Sequence, residues 1–129
     1  MATLQSTHPV FPVPDVAATA AWYRDRLGFR VVEYLDAAEP HACLYRDGIE
    51  IVLTSAPGVP VVPHRERYGF GYDAYVITDD AAGLHAELLA AGVRVVRAPG
   101  LTDYGNVDLV LEDVDGRWLG CGIKVRARD

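Results

Sequence analysis

The eighteen residues DVAATAAWYRDRLGFRVV, at positions 15–32, recur as DDAAGLHAELLAAGVRVV at positions 79–96. Seven of these eighteen positions are identical, and the offset between the two copies is 64 residues throughout. An apolar segment precedes each copy, VFPV at 10–13 and AYVI at 74–77. Because the 129-residue chain holds two copies, the repeat indicates a duplicated module and not a solenoid.

Each copy predicts a helix between strands. Apolar residues recur at helical spacing over about 15–27 and about 79–91, so each segment has one apolar face. An aspartate at each start can accept the unpaired amides of a helix N-terminus. Gly28 and Gly92 follow the two segments and suit the left-handed residue that ends a helix.

The remaining apolar runs predict four strands in each module. Asp47-Gly48 and Asp115-Gly116 are typical of tight hairpins between the last two strands of a module. The proline-containing segment 57–68 predicts a linker between modules at about 5–56 and 69–125. The order is therefore β-α-β-β-β, twice, in one α+β domain over residues 1–129. The predicted strands are about 7–13, 29–36, 41–46 and 49–55, then 70–77, 93–98, 105–112 and 117–124.

A module of about 60 residues cannot bury one face of its own sheet. We therefore expect the two modules to pair, with their sheets curved around a concave cleft. Such a cleft is the default place for a ligand.

Charge and hydropathy exclude several classes of partner. Eighteen acidic and twelve basic residues give a net charge of -6, with no basic stripe that would bind nucleic acid. No apolar run reaches the roughly 20 residues of a membrane span, and the first residues do not resemble a secretory signal. We therefore expect a cytoplasmic protein with reduced thiols at Cys43 and Cys121, which lie in separate apolar runs.

Three segments carry a family resemblance. The strings VFPVPDV at 10–16, WYRDRLGF at 22–29 and EDVDGR at 112–117 resemble the vicinal oxygen chelate superfamily. That group includes glyoxalase I, extradiol dioxygenases, fosfomycin-modifying enzymes and bleomycin resistance proteins. Val114 stands where the closing hairpin of the family has a proline. The resemblance implies the fold of paired βαβββ modules, whereas activity differs between members.

The resemblance also implies where a metal would bind. Metal-dependent members carry His or Glu on the first and last strands of each module. The chain offers His8, then Val52 or Glu50, then Asp73 or Tyr72, and finally Gly120, which has no side chain. A site made of His8, Glu50 and Asp73 would suit a divalent metal such as Ni, Zn, Mn or Fe, although three well-placed protein ligands are usually needed.

Aromatic and polar strand residues are the candidates for binding an organic ligand. Aromatic rings can stack on a flat ligand or hold a cation, although aromatic residues also favour strands for structural reasons. Asp108 is a candidate for binding an amine of the ligand, and a solvated carboxylate without a ligand is the alternative interpretation. Tyr104-Gly105-Asn106 stands where bleomycin resistance relatives have a W-G turn beside the ligand groove. The predicted ligand-binding residues are Tyr34, Tyr45, Phe70, Tyr72, Tyr104, Asn106, Asp108 and Trp118.

Two functional hypotheses follow. The first is a protein without metal or catalytic residues, similar to the bleomycin resistance group, that sequesters a small aromatic or cationic natural product as a homodimer. The alternative is a metal-dependent enzyme of the glyoxalase or lyase, isomerase or extradiol dioxygenase type that uses His8, Glu50 and Asp73. A third, simpler interpretation is a scaffold whose cleft is filled by Trp118 and the tyrosines.

Overall fold

A computed structural model of the chain describes residues 1–124. The chain divides into two compact units, the first of which is Met1–Pro60, while the second begins at Val61. This boundary falls inside the predicted linker 57–68. The predicted end of the second module, residue 125, lies outside the described residues.

The first unit has the order β-α-β-β-β. Its sheet has the strand order β1-β4-β3-β2, in which β1 is parallel to β4 and the other pairs are antiparallel. The elements are β1 (Val10–Val13), α1 (Val16–Leu27), β2 (Arg30–Tyr34), β3 (His41–Arg46) and β4 (Ile49–Ser55).

The second unit repeats this topology after an additional short helix. Its sheet has the order β5-β8-β7-β6, again with one parallel pair, β5 and β8. The predicted α+β class and duplicated βαβββ order are thereby confirmed within each unit. The elements are α2 (His64–Tyr68), β5 (Ala74–Ile77), α3 (Ala81–Ala90), β6 (Arg94–Leu101), β7 (Asn106–Glu112) and β8 (Trp118–Lys124).

Helix α1 forms where its sequence pattern predicts. The Asp15 carboxylate accepts a hydrogen bond from the amide of Ala18 at 3.0 Å, and Gly28 ends the helix with a φ of 70°. The predicted apolar face is buried, with Ala20 and Tyr23 completely inaccessible. Val16 and Leu27 on the same face are also buried, and such side chains each gain about 1.5–3 kcal/mol on full burial, so packing stabilises α1 more than its intrinsic propensity does.

Helix α3 and the linker differ from the prediction in detail. The residue that caps α3 is Asp80, whose carboxylate accepts the amide of Gly83 at 2.8 Å, so the helix starts at Ala81 and not at 79. The predicted linker also contains α2, a single helical turn that lacks an apolar periodicity. Strands β1 and β5 start later than predicted, at Val10 and Ala74, where parallel pairing with Val52 and Leu119 begins.

Both cysteines lie in strands and form no disulfide within residues 1–124, with Cys121 buried and Cys43 half-buried. Among residues 1–124, none of the helices has the length and apolarity required to cross a membrane.

Candidate functional site

Asp108 lies at the centre of a polar cluster in the second unit. Its side chain on β7 is completely buried. One carboxylate oxygen, Oδ2, accepts the hydroxyl of Tyr75 at 3.0 Å and that of Tyr104 at 2.5 Å. The other oxygen, Oδ1, accepts Nη2 of Arg97 at 2.7 Å. A buried carboxylate requires such donors, because an unpaired charge away from water is strongly unfavourable.

Further hydrogen bonds extend the cluster outward. The Nη2 of Arg97 also donates to the Tyr72 hydroxyl at 3.0 Å. The Nδ2 of Asn106 donates to the Tyr75 hydroxyl at 3.2 Å. We call these residues the Asp108 cluster: Tyr72, Tyr75, Arg97, Tyr104, Asn106 and Asp108.

The alternation of strand β7 and two glycines in β8 explain why the cluster can form. Asp108 points to one face of β7, whereas Leu109 and Leu111 are buried on the face that helix α3 covers. Asp108 lies opposite Gly122 on β8. A Cβ atom at Gly122 would overlap the Tyr75 hydroxyl and lie 2.7 Å from the Cβ of Asp108. The glycine therefore leaves the space in which the Tyr75 hydroxyl meets the carboxylate.

The environment keeps Tyr75 and Tyr104 protonated. Burial, followed by the hydrogen bond to Asp108, raises the pKa of Tyr104 well above its ordinary value of 10. Burial also raises the pKa of Tyr75, and the neighbouring Asp108 adds to that increase. Both hydroxyls consequently act as donors at neutral pH, since a second negative charge beside Asp108 would be repelled.

A cavity of about 300 Å³ lies beside the Asp108 cluster, within the second unit. Its size falls at the lower end of the range of small-molecule sites. Arg97 reaches it with a side chain that is 52% exposed, while Asp108 itself is completely shielded. The walls are Tyr72, Arg97, Ala98, Gly100, Leu101, Thr102, Asp103 and Tyr104.

Four of the predicted ligand-binding residues are brought together here. Tyr72, Tyr104, Asn106 and Asp108 all belong to the Asp108 cluster. Asp108 does not offer the free carboxylate that a ligand amine would need, because Arg97, Tyr75 and Tyr104 already engage it.

The predicted site residues include neither Arg97 nor Tyr75. The register of β6 against β7 shifts on both sides of Arg97. A β-bulge of this kind re-aims a side chain, and alternation along the sequence therefore does not predict where Arg97 points. The signal for Tyr75 was available in two glycines of β8: Gly120, which pairs with Tyr75, and Gly122, which leaves space for its hydroxyl.

Trp118 belongs to a different group of side chains. The Arg65 guanidinium, on α2, lies 4.2 Å above the Trp118 ring and donates to the carbonyl of Gly116 at 2.5 Å. The Trp118 indole N–H donates to Glu112 at 3.1 Å, and Arg65 also contacts this carboxylate at 3.3 Å. These contacts fasten α2 to β8.

The other predicted aromatic residues have separate surroundings. Phe70 is 77% exposed in the loop between α2 and β5. In the first unit, Tyr34 stacks on His41 at 4.8 Å between ring centres, and the Arg30 guanidinium lies 4.7 Å from the ring of Tyr45. The Asp108 cluster is built without these three residues.

The predicted metal ligands do not form a complete set. His8 and Glu50 approach within 3.9 Å in the first unit. Asp73 has a side chain that is 5% exposed, and its carboxylate accepts the backbone amides of His64 at 3.3 Å and Trp118 at 3.2 Å. Asp73 therefore holds α2 against β8, which is a structural role.

The fourth position is filled by aromatic rings. A Cβ atom at Gly120 would lie 2.8 Å from the ring of Tyr75 and 3.1 Å from that of Tyr72. No group of three His, Cys, Asp or Glu side chains that could hold a metal ion occurs within residues 1–124. The donor set described here thus does not fit a divalent metal of the kind the resemblance implies.

A family model covers most of the chain. Residues 5–120 match the model described as Glyoxalase/Bleomycin resistance protein/Dioxygenase superfamily. None of the curated proteins compared with the chain matches it.

Solved structures share the fold at low sequence identity. A bleomycin resistance determinant encoded on the transposon Tn5 is 23% identical, with a TM-score of 0.74, and the match covers 95% of this chain and 100% of that one. A bleomycin-binding protein complexed with bleomycin is 24% identical, with a TM-score of 0.73 and coverage of 93% and 98%. TioX from Micromonospora sp. ML1 is 18% identical, with a TM-score of 0.67 and coverage of 93% and 100%.

Proposed function

We propose that this chain, which belongs to the Glyoxalase/Bleomycin resistance protein/Dioxygenase superfamily, is a metal-free binding protein. It sequesters a small aromatic or cationic natural product, such as an antibiotic, and breaks no bond in it. It acts as a homodimer, as the resemblance to the bleomycin resistance group implies, and its place is the cytoplasm, as expected from the sequence.

The cavity beside the Asp108 cluster carries this proposal. It combines two phenolic rings, Tyr72 and Tyr104, with polar groups whose positions are fixed by hydrogen bonds to one buried carboxylate. Fixed polar groups among apolar walls are typical of small-molecule sites. The likeness to the bleomycin-binding protein supports the same direction, because that protein's structure contains bleomycin.

Gly120 stands where a metal-dependent relative would carry a carboxylate, and the space beside it is occupied by Tyr75. Its ring lies against Gly120 and its hydroxyl donates to Asp108. No step of the proposed function passes through a metal ion.

A thermal-shift panel of bleomycin-like and polycyclic antibiotics tests the proposal, with each compound measured with and without Ni²⁺ or Mn²⁺. A compound at 100 times its Kd stabilises the folded state by about 2.7 kcal/mol, which raises the Tm of a domain of this size by about 10 °C. We expect at least one compound to give such an increase without metal. A panel in which stabilisation requires the metal would contradict the proposal.

An enzyme is the second candidate, favoured by the approach of His8 to Glu50 at 3.9 Å. Mass spectrometry of a bound compound after prolonged incubation separates the candidates, since a binding protein returns the compound unchanged. A product that disappears in His8→Ala would establish the enzyme. Light scattering in solution tests the homodimer, for which twice the chain mass of 14.1 kDa is expected.

A further inference from the structure

We infer that the ligand of the cavity in the second unit carries an anionic oxygen on a flat ring system, and that Arg97 binds this oxygen. The inference rests on the proposed binding function and specifies the ligand's chemical class. It replaces the amine that the sequence led us to expect at Asp108.

Arg97 has donors to spare. A guanidinium carries five N–H groups, and the two on Nη2 are used by Asp108 and Tyr72. The remaining three, on Nε and Nη1, have no hydrogen-bond partner among residues 1–124. The side chain is 52% exposed and lines the cavity. These groups are therefore available to an oxygen acceptor that enters the cavity.

Asp108 and Tyr72 hold Arg97 in place before a ligand arrives. The Nη2 to Oδ1 distance is 2.7 Å, and the carboxylate that accepts it cannot move into solvent because it is completely buried. A donor that is already fixed loses little conformational entropy when a ligand binds. Charge-assisted hydrogen bonds from such a guanidinium to an anionic oxygen are about twice as strong as neutral ones.

The acids near the cavity do not favour a cation to the same degree. Asp108 is shielded and already paired with Arg97, so an entering amine cannot contact it. Asp103 lines the cavity but is exposed, and ion pairs with exposed carboxylates contribute only about 0–1 kcal/mol.

The rings of Tyr72 and Tyr104 indicate the shape of the ligand. Both line the cavity, and Tyr104 is 45% exposed despite its hydrogen bond to Asp108. Exposed aromatic faces beside a fixed cation suit a conjugated ring that bears a carboxylate or a phenolate. Leu101, which is also exposed, adds apolar wall.

Titration calorimetry with three matched probes tests the inference: 2-naphthoate, 2-naphthamide and 2-naphthylmethylammonium. We expect the wild-type protein to bind 2-naphthoate at least tenfold more tightly than the ammonium probe, with the amide between them. Arg97→Gln should weaken 2-naphthoate at least tenfold without weakening the ammonium probe, because it removes a positive charge and frees the carboxylate of Asp108. Arg94→Gln is the matched control, because Arg94 lies on the same strand and pairs with Glu112, outside the cavity. It should bind all three probes as the wild type does.

Folding does not confound this test. The order of the three affinities is measured on the wild-type protein. If Arg97→Gln is unstable, the double variant Arg97→Gln, Asp108→Asn removes both charges of the pair together. Equal binding of 2-naphthoate and the ammonium probe, or an unchanged affinity in Arg97→Gln, would overturn the inference while leaving the binding function in place. Binding of none of the probes would also overturn it, and the antibiotic panel then decides on the proposed function separately.

Discussion

Asp108 accepts hydrogen bonds from Arg97, Tyr75 and Tyr104 while it is completely buried. Asp108→Ala would leave these donors without their acceptor and Arg97 without its counter-charge. Since Arg97 is half-exposed and can be resolvated, we expect a loss of about 2–4 kcal/mol in the free energy of unfolding. Urea denaturation measures this loss.

Asp103→Ala is the control for Asp108→Ala. Asp103 lies in the neighbouring turn and is exposed. Its removal should change the free energy of unfolding by no more than about 0.5 kcal/mol. Equal losses in both variants would show that the cluster around Asp108 does not stabilise the fold.

Two tyrosines of the Asp108 cluster, Tyr75 and Tyr104, make stability dependent on pH in the alkaline range. The pKa values of Tyr75 and Tyr104 are raised in the folded state by burial and by Asp108, whereas in the unfolded chain they lie near 10. Above pH 10 the unfolded state therefore loses protons that the folded state retains. The contribution of these two tyrosines to the free energy of unfolding is constant below that pH and decreases as the pH rises further.

Denaturation between pH 8 and pH 11.5 measures this dependence. Tyr75→Phe and Tyr104→Phe should each flatten the alkaline decrease, even though each variant also loses a hydrogen bond at neutral pH. Tyr68→Phe removes an exposed hydroxyl on α2 and is the comparison variant. An alkaline decrease of the same slope in all three variants would contradict the prediction.

Individual site residues could be predicted where a local sequence pattern indicated them. Tyr72 and Tyr104 were predicted as aromatic residues near strand ends, and Asn106 and Asp108 as polar strand residues next to the turn at Tyr104-Gly105-Asn106. Arg97 was not predicted, since two shifts in the register of β6 decide its direction and no local pattern reports them.

At the scale of elements, the first residue of helix α3 differs from the one that the sequence repeat predicts. The offset of 64 residues aligns Asp15 with Asp79, but the residue that caps α3 is Asp80. The capping aspartate must have extended backbone and reach the amide three residues on, and Asp80 does so toward Gly83 at 2.8 Å. The repeat therefore predicted the existence of α3 correctly and its first residue wrongly.

This difference predicts unequal effects for two adjacent aspartates. Asp80→Ala should lower the free energy of unfolding by about 1 kcal/mol, the usual cost of a lost N-cap. Asp79→Ala removes an exposed neighbour and should stay within about 0.5 kcal/mol of the wild type. Thermal and urea unfolding of both variants measures the effects, and a larger loss in Asp79→Ala would assign the cap to the wrong residue.

Helix α2 shows why the linker could not be predicted as a helix. Its five residues lack an apolar stripe, and it is held by long-range contacts, from Arg65 to Trp118 and from His64 to Asp73. Arg65 and Trp118 are 53 positions apart and His64 and Asp73 are nine apart, so neither contact follows a periodic pattern within the five residues of α2. The same contacts explain why Asp73 and Trp118, both predicted as site residues, have structural roles.

For the whole molecule, the duplicated sequence predicted the duplicated topology, whereas the site differs between the copies. The two sheets have equivalent strand orders, and in each the first and last strands of the unit form the one parallel pair. Backbone topology follows from strand spacing and hairpin signals, which both copies keep. The Asp108 cluster needs particular side chains from β5, β6 and β7 and glycines in β8, which the first copy does not repeat.

The incomplete donor set makes the response of the whole protein to metal a decisive measurement. His8 and Glu50 supply two donors, Asp73 is engaged by two backbone amides, and Gly120 offers no side chain. A competent site for a divalent ion usually has three protein ligands, so we expect weak binding at most. An ion that binds the folded state weakly does not raise its Tm appreciably at concentrations well below its Kd. Protein purified without chelator should therefore show the same Tm, within about 1 °C, before and after EDTA, and again after addition of Ni²⁺ or Mn²⁺. One tightly held divalent ion per chain, detected by elemental analysis and lost in His8→Ala, would contradict this and restore the enzyme as the leading function.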